Sequence, residues 1–382
     1  MRSRLSDLVR QSQARMSAAA GAATDEGSLV ELSGFGADPG SVRMLAHLPE
    51  GLPQGAPLVV ALHGCTQTAA GYAAGSGWTA LAEGGGFAVL LPEQRQANNP
   101  NRCFNWFEAG DTRRGQGEVA SIHAAIQHMV ATRGIDPKRV FVTGLSAGGA
   151  MAASLLATYP EVFAAGAIIA GLPHGAAGSM PEAFEAMSTG KPRAAADWAA
   201  LVRAASPHRG PWPRVSIWQG DADTTVRPAN AEQLARQWGA LHGVTGAPVE
   251  TGSGTHRTQS WRDAGGQVVL EQHSIAGMAH GVPLDASGIG QAGPFFLQTG
   301  VGSTAAIAAF FGLPVTQPAE RPQGQPRPAS AAGAGPVIDQ EGNRADPPAA
   351  AEDFSLGGIK LGSIDPSGVI RKALTAAGLM KG

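Results

Sequence analysis

The serine in GLSAG, residues 144–148, has the clearest chemical signature in this chain. It lies where an apolar run at 139–146 meets a helical pattern at 148–158. A strand, a sharp turn and a helix in this order form a nucleophile elbow, which lifts a serine hydroxyl above the edge of a sheet. The alternatives are an ordinary glycine-rich turn and a phosphate-binding loop, but this stretch does not contain the G-x-G-x-x-G pattern of dinucleotide sites. Ser146 is therefore the candidate nucleophile.

A serine nucleophile needs a base, and one histidine stands in a suitable position. A hydroxyl is weakly nucleophilic until a histidine, itself held by a carboxylate, accepts its proton. Around a nucleophile elbow the partners follow in the order serine, acid, histidine, on loops that succeed strands. His280, in GMAHGVP, follows the last predicted strand on a glycine-flanked loop and is the candidate base rather than a solvated surface residue. The other histidines after the serine lack this placement: His174, His208, His242, His256 and His273.

The acid must come between Ser146 and His280 and must follow a strand. The apolar run RVSIWQG at 214–220 supplies a strand, and Asp221 and Asp223 come directly after it. One of these two carboxylates is expected to hold the imidazole, and the other is expected to face solvent or to form a turn. Chemistry alone does not choose between them.

An oxyanion hole completes this type of site, and it needs two backbone N–H groups. One comes from the residue after the nucleophile, here Ala147, and the other from a loop after an earlier strand. The stretch LVVALHGCTQT at 58–68 places Cys65 in such a loop, although a simple turn would have the same sequence features. The N–H groups of Cys65 and Ala147 are the candidate donors.

Apolar runs and helical patterns alternate along the chain, and they indicate the scaffold that positions these residues. The run at 41–49 alternates in polarity and predicts an early antiparallel strand. Continuous apolar runs, typical of strands buried on both faces, follow at 57–64, 86–93, 139–146, 164–171, 214–220 and 267–275. Helical patterns lie at 118–134, with Gly134 as a C-cap, at 148–158 and at 229–242. This alternation predicts an α/β fold, with a mostly parallel, doubly wound sheet.

Composition excludes several classes of partner. The chain has 382 residues, of which 43% are hydrophobic and 15% charged, and its net charge is −2. A chain of this charge has no basic surface for nucleic acid, and no run approaches the roughly 20 apolar residues of a membrane span. The sequence does not indicate an oligomeric state.

The chain is expected to divide into four segments. Residues 1–27 form an N-terminal extension with a short amphipathic helix; charged and polar residues interrupt the apolar stretch that a signal peptide would need. Residues 28–313 form the catalytic domain, and 314–350, rich in Pro, Ala and Gly, form a disordered linker. Residues 351–382 carry a short amphipathic helix that begins at Asp365 and Pro366. The two cysteines fit either a disulfide of an exported protein or two buried thiols of a cytoplasmic one.

Five motifs, in this order and spacing, resemble the catalytic domain of the poly(3-hydroxybutyrate) depolymerase family of esterases. They are LHGCTQTAAGY, NRCFNWFEAGDTRRGQGEVASI, DPKRVFVTGLSAGGAMA, QGDADTTV and GMAHG, and the resemblance covers residues 40–312. It implies an α/β-hydrolase fold and a relation to feruloyl and acetylxylan esterases. It also implies that Asp223 is the acid, that Cys65 supplies an oxyanion donor and is joined to Cys103, and that the protein is extracellular.

The sequence thus predicts a serine carboxylester hydrolase that acts through an acyl-enzyme and requires no metal or cofactor. The expected substrate is poly(3-hydroxybutyrate) or a short-chain hydroxyalkanoate ester. A feruloyl or acetylxylan esterase of the same fold is the alternative, and a noncatalytic protein of polymer granules is a remoter one. Trp106 and Phe107, in CFNWF, are candidates to line the acyl pocket, although aromatic residues at this spacing also occur in hydrophobic cores.

Overall fold

The computed structural model describes residues 29–244 and 246–315 of the protein. The predicted N-terminal helix, nearly all of the linker and the C-terminal segment lie outside these residues, so the division into four segments stays a prediction. No helix within the described part of the chain is long and apolar enough to cross a membrane.

One large sheet organises the molecule. The strands in the described residues are β1 Val30–Glu31, β2 Arg43–His47, β3 Ala56–Leu62, β4 Ala88–Glu93, β5 Ile135–Leu145, β6 Ala165–Ile169, β7 Arg214–Gly220, β8 Val249–Ser253, β9 His256–Arg262, β10 Val268–Ile275, β11 Val282–Leu284 and β12 Phe296–Gln298. The first ten form a sheet in the order β1-β2-β4-β3-β5-β6-β7-β10-β9-β8. Its centre, from β4 to β10, is parallel, while β1, β2, β8 and β9 pair antiparallel at the two ends.

Helices cover both faces of this sheet. They are α1 Ala69–Ser76, α2 Trp78–Gly85, α3 Ala109–Thr112, α4 Gly117–Arg133, α5 Ala147–Thr158, α6 Met180–Thr189, α7 Ala195–Ala205, α8 Ala229–His242 and α9 Ser303–Phe311. One hydrophobic cluster joins the sheet to α4, α5, α7 and α8, and a second joins its other face to α1, α2 and α9. This two-faced arrangement confirms the doubly wound α/β prediction.

Local chemistry explains why the central strands form where they do. All seven residues of β3 are buried, as the uninterrupted apolar run predicts for a strand covered on both faces. The helix predicted at 118–134 is α4, and Gly134 adopts the left-handed conformation expected of its C-cap, with φ of 65°. The predicted antiparallel strand at 41–49 is β2, which pairs antiparallel with β4.

The sequence patterns did not predict the hairpin of β8 and β9. These strands read VETGS and HRTQSWR, with no apolar run, because they extend the sheet beyond its covered centre and remain partly exposed. The hairpin pairs with β10 and places that strand between two neighbours. It therefore supports the strand from which the His280 loop departs.

Candidate active site

Ser146 lies in a backbone conformation that few non-glycine residues adopt. It has φ of 58° and ψ of −118°, between the end of β5 and the start of α5. Its N–H donates to the carbonyl of Ile169, at 2.9 Å, which fixes the turn against β6. Such strain is retained where the surrounding structure enforces it, commonly at functional sites. The side chain is therefore held at the carboxyl edge of the sheet, as a nucleophile elbow requires.

Close packing around the elbow excludes larger residues. A Cβ on Gly148 would lie 2.5 Å from the carbonyl oxygen of His63 and would also meet that of Leu62. Gly148 therefore allows the first turn of α5 to approach the end of β3. This approach brings the serine turn next to the loop that contains Cys65.

Of the two aspartates that follow β7, Asp223 is the one bonded to His280. Its Oδ2 lies 2.7 Å from His280 Nδ1, and both side chains are almost fully buried. Its Oδ1 accepts the N–H groups of Thr225 at 2.8 Å and Val226 at 2.9 Å. The carboxylate thus favours the His280 tautomer with its proton on Nδ1, and Nε2 remains as the proton acceptor.

Asp221 has a different position and a different partner. Its side chain is exposed, and its Oδ1 accepts the N–H of Gly277 at 2.6 Å. Gly277 belongs to the loop that leads from β10 to His280, so Asp221 ties the two loops together. It is solvent-facing, as expected of one aspartate, but it also contributes to positioning the histidine loop.

The loop of Cys65 is fixed by its neighbours. The N–H of Gly64 donates to Gln67 Oε1 at 2.8 Å, and that of Thr66 donates to the carbonyl of Asn101 at 2.7 Å. Within the described chain, the N–H of Cys65 between them donates to no protein acceptor. The N–H of Ala147 belongs to the first residue of α5, where a helix provides no acceptor of its own. Both groups are thus suited to bind a ligand oxygen.

A disulfide joins Cys65 to Cys103, with the two Cα atoms 4.2 Å apart. Cys103 lies in the segment between β4 and α3, so the bond connects the loop after β3 to the loop after β4. The bond crosses 38 positions of sequence. It limits the movement of the Cys65 backbone relative to the neighbouring loop.

His63 supports the same loop from the interior. Its Nδ1 lies 2.7 Å from the carbonyl of Gly64, and its Nε2 accepts the N–H of Gln94 at 3.1 Å. These partners require a neutral ring with the proton on Nδ1. Burial lowers the pKa of His63 to about 4, because the charged form loses its hydration. The ring is therefore neutral near pH 7 and serves as a structural link.

Glu118 is a buried acid that the sequence patterns did not single out. Its carboxyl oxygens accept the N–H of Asn105 at 3.0 Å and a short hydrogen bond from Gln94, whose Nε2 also reaches the carbonyl of Cys103. Burial raises the pKa of Glu118 to about 8, and the nearby Asp111 charge adds to this shift. The sequence did hold one indication that Glu118 is buried: it lies four residues before Ile122, on the buried face of α4.

The two aromatic residues proposed for the acyl pocket have different environments. Trp106 lines a cleft of about 440 Å³, together with His174 from the loop after β6. Phe107 packs edge to face against Trp106, at 5.5 Å between ring centroids, and is buried in the core without lining that cleft. Of the two, only Trp106 lines this cleft, and Ser146, Asp223 and His280 are not among its lining residues, so the acyl-pocket role of both aromatic residues stays a prediction. In residues 29–244 and 246–315, no group of three or more His, Cys, Asp or Glu is arranged to hold a metal ion.

Comparisons with known proteins show which family this chain resembles. A model of the family described as esterase PHB depolymerase matches residues 44–262. Poly(3-hydroxyalkanoate) depolymerase C of Paucimonas lemoignei is 46% identical over 292 residues, which are 75% of this chain and 70% of that protein. An acetylxylan esterase of Coprinopsis cinerea is 32% identical over 264 residues, or 67% of this chain and 70% of that protein.

A solved structure shows the same fold. The acetyl xylan esterase from Aspergillus awamori aligns with a TM-score of 0.62 at 28% sequence identity. The alignment covers 66% of this chain and 94% of that chain. The fold class is thus that of an α/β-hydrolase.

Proposed function

Because the chain belongs to the esterase PHB depolymerase family and is a carboxylester hydrolase, we propose that it hydrolyses hydroxyalkanoate esters through a covalent acyl-enzyme on Ser146. The substrate class is short-chain hydroxyalkanoate esters and their polymer, poly(3-hydroxybutyrate). The observation that carries the proposal is the 2.7 Å hydrogen bond between buried Asp223 and His280, on the same carboxyl edge of the sheet as a serine in a strained elbow.

The residues have complementary roles in the proposed reaction. His280 Nε2 accepts the proton of the Ser146 hydroxyl as the serine oxygen attacks the ester carbonyl. The carbonyl oxygen becomes negatively charged, and the N–H groups of Cys65 and Ala147 donate hydrogen bonds to it. His280 then returns the proton to the alcohol that leaves, and an acyl-enzyme remains on Ser146.

Water completes the cycle by the same route. His280 takes a proton from water, the hydroxide attacks the acyl-enzyme, and the serine leaves with that proton. Asp223 stabilises the imidazolium in both halves without itself being protonated. These steps need proton transfer and oxyanion stabilisation, and the chain's own residues supply both without a cofactor.

The substrate class follows the most similar of the relatives described above. Identity is 46% with the poly(3-hydroxyalkanoate) depolymerase and 32% with the acetylxylan esterase. Trp106 stays the candidate to contact the acyl chain or the next polymer unit. An acetylxylan or feruloyl esterase is the second candidate, supported by the structural likeness to the Aspergillus awamori enzyme.

We also propose that the protein works outside the cytoplasm. The Cys65–Cys103 disulfide supports this location, since such bonds persist in oxidising compartments and are rare in the cytosol.

Activity assays test the mechanism first. The wild-type protein is expected to hydrolyse a short-chain p-nitrophenyl ester, and Ser146→Ala and His280→Ala are each expected to remove essentially all turnover. The double variant should be little worse than either single one, because members of such a set act as a unit. Substantial turnover by Ser146→Ala at unchanged thermal stability contradicts the serine mechanism.

A panel of esters then identifies the substrate class. Hydroxybutyrate oligomers, amorphous polymer, acetylated xylan and methyl ferulate are compared by kcat/KM. The proposal expects the hydroxybutyrate oligomers to be the best substrates. Higher kcat/KM on acetylated xylan or methyl ferulate supports the second candidate instead.

A further inference from the structure

The side chain of Gln219 lies directly behind the catalytic acid. Gln219 is the residue before the end of β7 and is 3% exposed. Its Nε2 donates to Asp223 Oδ2 at 3.0 Å, and it also lies within hydrogen-bond distance of two carbonyls, at 3.1 Å from Val226 and 3.2 Å from Gly220. One amide nitrogen thus spans both ends of the loop that carries Asp223.

The orientation of this amide is determined by its neighbours. All three groups that face Nε2 are acceptors, so the reverse orientation would oppose oxygen to oxygen. As a result Oε1 points away, and it finds no hydrogen-bond partner among residues 29–244 and 246–315. A buried acceptor without a protein partner lowers the free energy of unfolding. The orientation that lets Gln219 hold Asp223 therefore makes the fold less stable.

The bond acts on the atom that orients the base. Asp223 Oδ2 receives both Gln219 Nε2, at 3.0 Å, and His280 Nδ1, at 2.7 Å. The other oxygen is fixed by the backbone N–H groups of residues 225 and 226. Both oxygens of the carboxylate are therefore held, and its plane cannot turn away from the imidazole. Gln219 also shares the negative charge that faces His280.

We propose that Gln219 is a positioning residue of the esterase: it holds Asp223 Oδ2 in line with His280 and thereby sets the rate of the chemical steps. This role rests on the proposed serine mechanism. It predicts an effect on kcat, since the aspartate and histidine act on the transition state, and none on KM.

Gln219→Met tests the proposal because methionine has nearly the same shape and no donor. We expect kcat on a p-nitrophenyl ester to fall about 10- to 100-fold, the range for a lost hydrogen bond to a charged group, at unchanged KM. Thermal stability is measured on the same preparations, because the change removes the unpartnered Oε1 but also leaves the carbonyl of Val226 without the Gln219 donor.

Gln237→Met is the matched control. Gln237 on α8 is also a buried glutamine with three hydrogen bonds, to the N–H and carbonyl of His174 and the carbonyl of Trp198, and none to the aspartate or histidine of the site. Its replacement is expected to lower stability and to leave kcat unchanged.

Two further variants show whether Gln219 acts through Asp223. In an Asp223→Asn background, the added Gln219→Met change is expected to cost far less than in the wild type, because the charge it orients is gone. Gln219→Glu, assayed at about pH 6, should retain more activity than Gln219→Met, because a buried carboxyl beside Asp223 keeps its proton and donates it.

Each outcome bears on the proposal separately from the reaction itself. A wild type without esterase activity, or an active Ser146→Ala variant, refutes the serine mechanism. If that mechanism holds, a Gln219→Met kcat equal to the wild type overturns the role of Gln219. A rise in KM without a fall in kcat also overturns it. An equal fold-decrease in kcat in the wild-type and Asp223→Asn backgrounds does the same. If Gln219→Met does not fold, Gln219→Glu decides: a kcat no higher than that of Asp223→Asn overturns the proposal.

Discussion

Asp221 and Asp223 are two residues apart, yet their carboxylates meet different partners. Asp223 is 1% exposed and bonded to His280, whereas Asp221 is exposed and bonded to the backbone of Gly277. We predict that Asp223→Asn lowers kcat by about three to four orders of magnitude, because an amide can impose the wrong imidazole tautomer. Asp221→Asn retains an acceptor for Gly277 and should cost far less. Steady-state kinetics on one soluble ester measure both, and the reverse order would make Asp221 the acid.

The buried imidazole of His63 is expected to make the stability of the protein depend on pH. Its pKa in the folded protein is lowered to about 4 from the ordinary value of 6.5. Above pH 6.5 the ring is neutral in both states, and its contribution to stability is fully present. As pH falls from about 6.5 to about 4, only the unfolded chain gains the proton, so stability is lost at up to roughly 1.4 kcal/mol per pH unit.

Urea unfolding at several pH values measures this slope. A His63→Gln variant is expected to show a smaller slope between about pH 6.5 and pH 4, whatever its absolute stability. The comparison isolates His63, because His174, whose pKa is also lowered by burial, titrates in both proteins. Equal slopes in the two proteins would contradict the assignment.

The sequence alone identifies the polar residues that follow strands, but not the buried polar residues that support them. Ser146 and His280 could be selected because a required order of residue types narrows the choice. The acid remained open between two aspartates, since local sequence does not show which carboxylate turns inward. No such order marks Glu118 or Gln219. The partners of Glu118, Gln94 and Asn105, come from another segment, and those of Gln219 lie in the loop that follows it, whose folded shape the sequence does not show.

The disulfide between Cys65 and Cys103 joins the loops that follow β3 and β4. We predict that Cys103→Ser lowers the free energy of unfolding by about 3 to 4 kcal/mol, the chain-entropy value for a loop of this length. The change leaves the Cys65 backbone N–H in place, so kcat should fall by a smaller factor than in Ser146→Ala. Urea unfolding and ester hydrolysis by the same preparations check both expectations. Unchanged stability would show that hydrogen bonds alone fix the loop.

The predictability of each element follows from its burial. The strands β3 to β7 are covered on both faces, so their apolar runs marked them and their bounds were nearly right. β5 begins at Ile135, four residues before the predicted run. Its first five residues, IDPKR, are mostly polar, so no apolar run marked this part of the strand. The hairpin of β8 and β9 went unpredicted because a partly exposed extension of a sheet needs no apolar run.

For the whole molecule, the predicted end of the catalytic domain at residue 313 can be tested by truncation. The final described helix, α9, must be kept, since Phe311 stacks on Trp78 and Phe141 and Arg214 donates to the carbonyl of Phe310. Leu313 is also buried. A chain that ends after Val315 therefore retains the core and every residue proposed for the reaction.

We predict that this truncated chain hydrolyses a soluble p-nitrophenyl ester with unchanged kcat and KM. Composition supports this expectation: residues 314–350 are rich in Pro, Ala and Gly and have few of the large apolar side chains that offset the entropy of ordering a chain. The amphipathic pattern from Asp365 predicts a helix with an apolar face, which suits adsorption to polymer or granules, although docking on the domain or on a second copy is the alternative. Adsorption predicts lower activity of the truncated chain on a granule suspension only. Loss of soluble-ester activity would place part of the tail within the catalytic fold and move the domain boundary beyond residue 315.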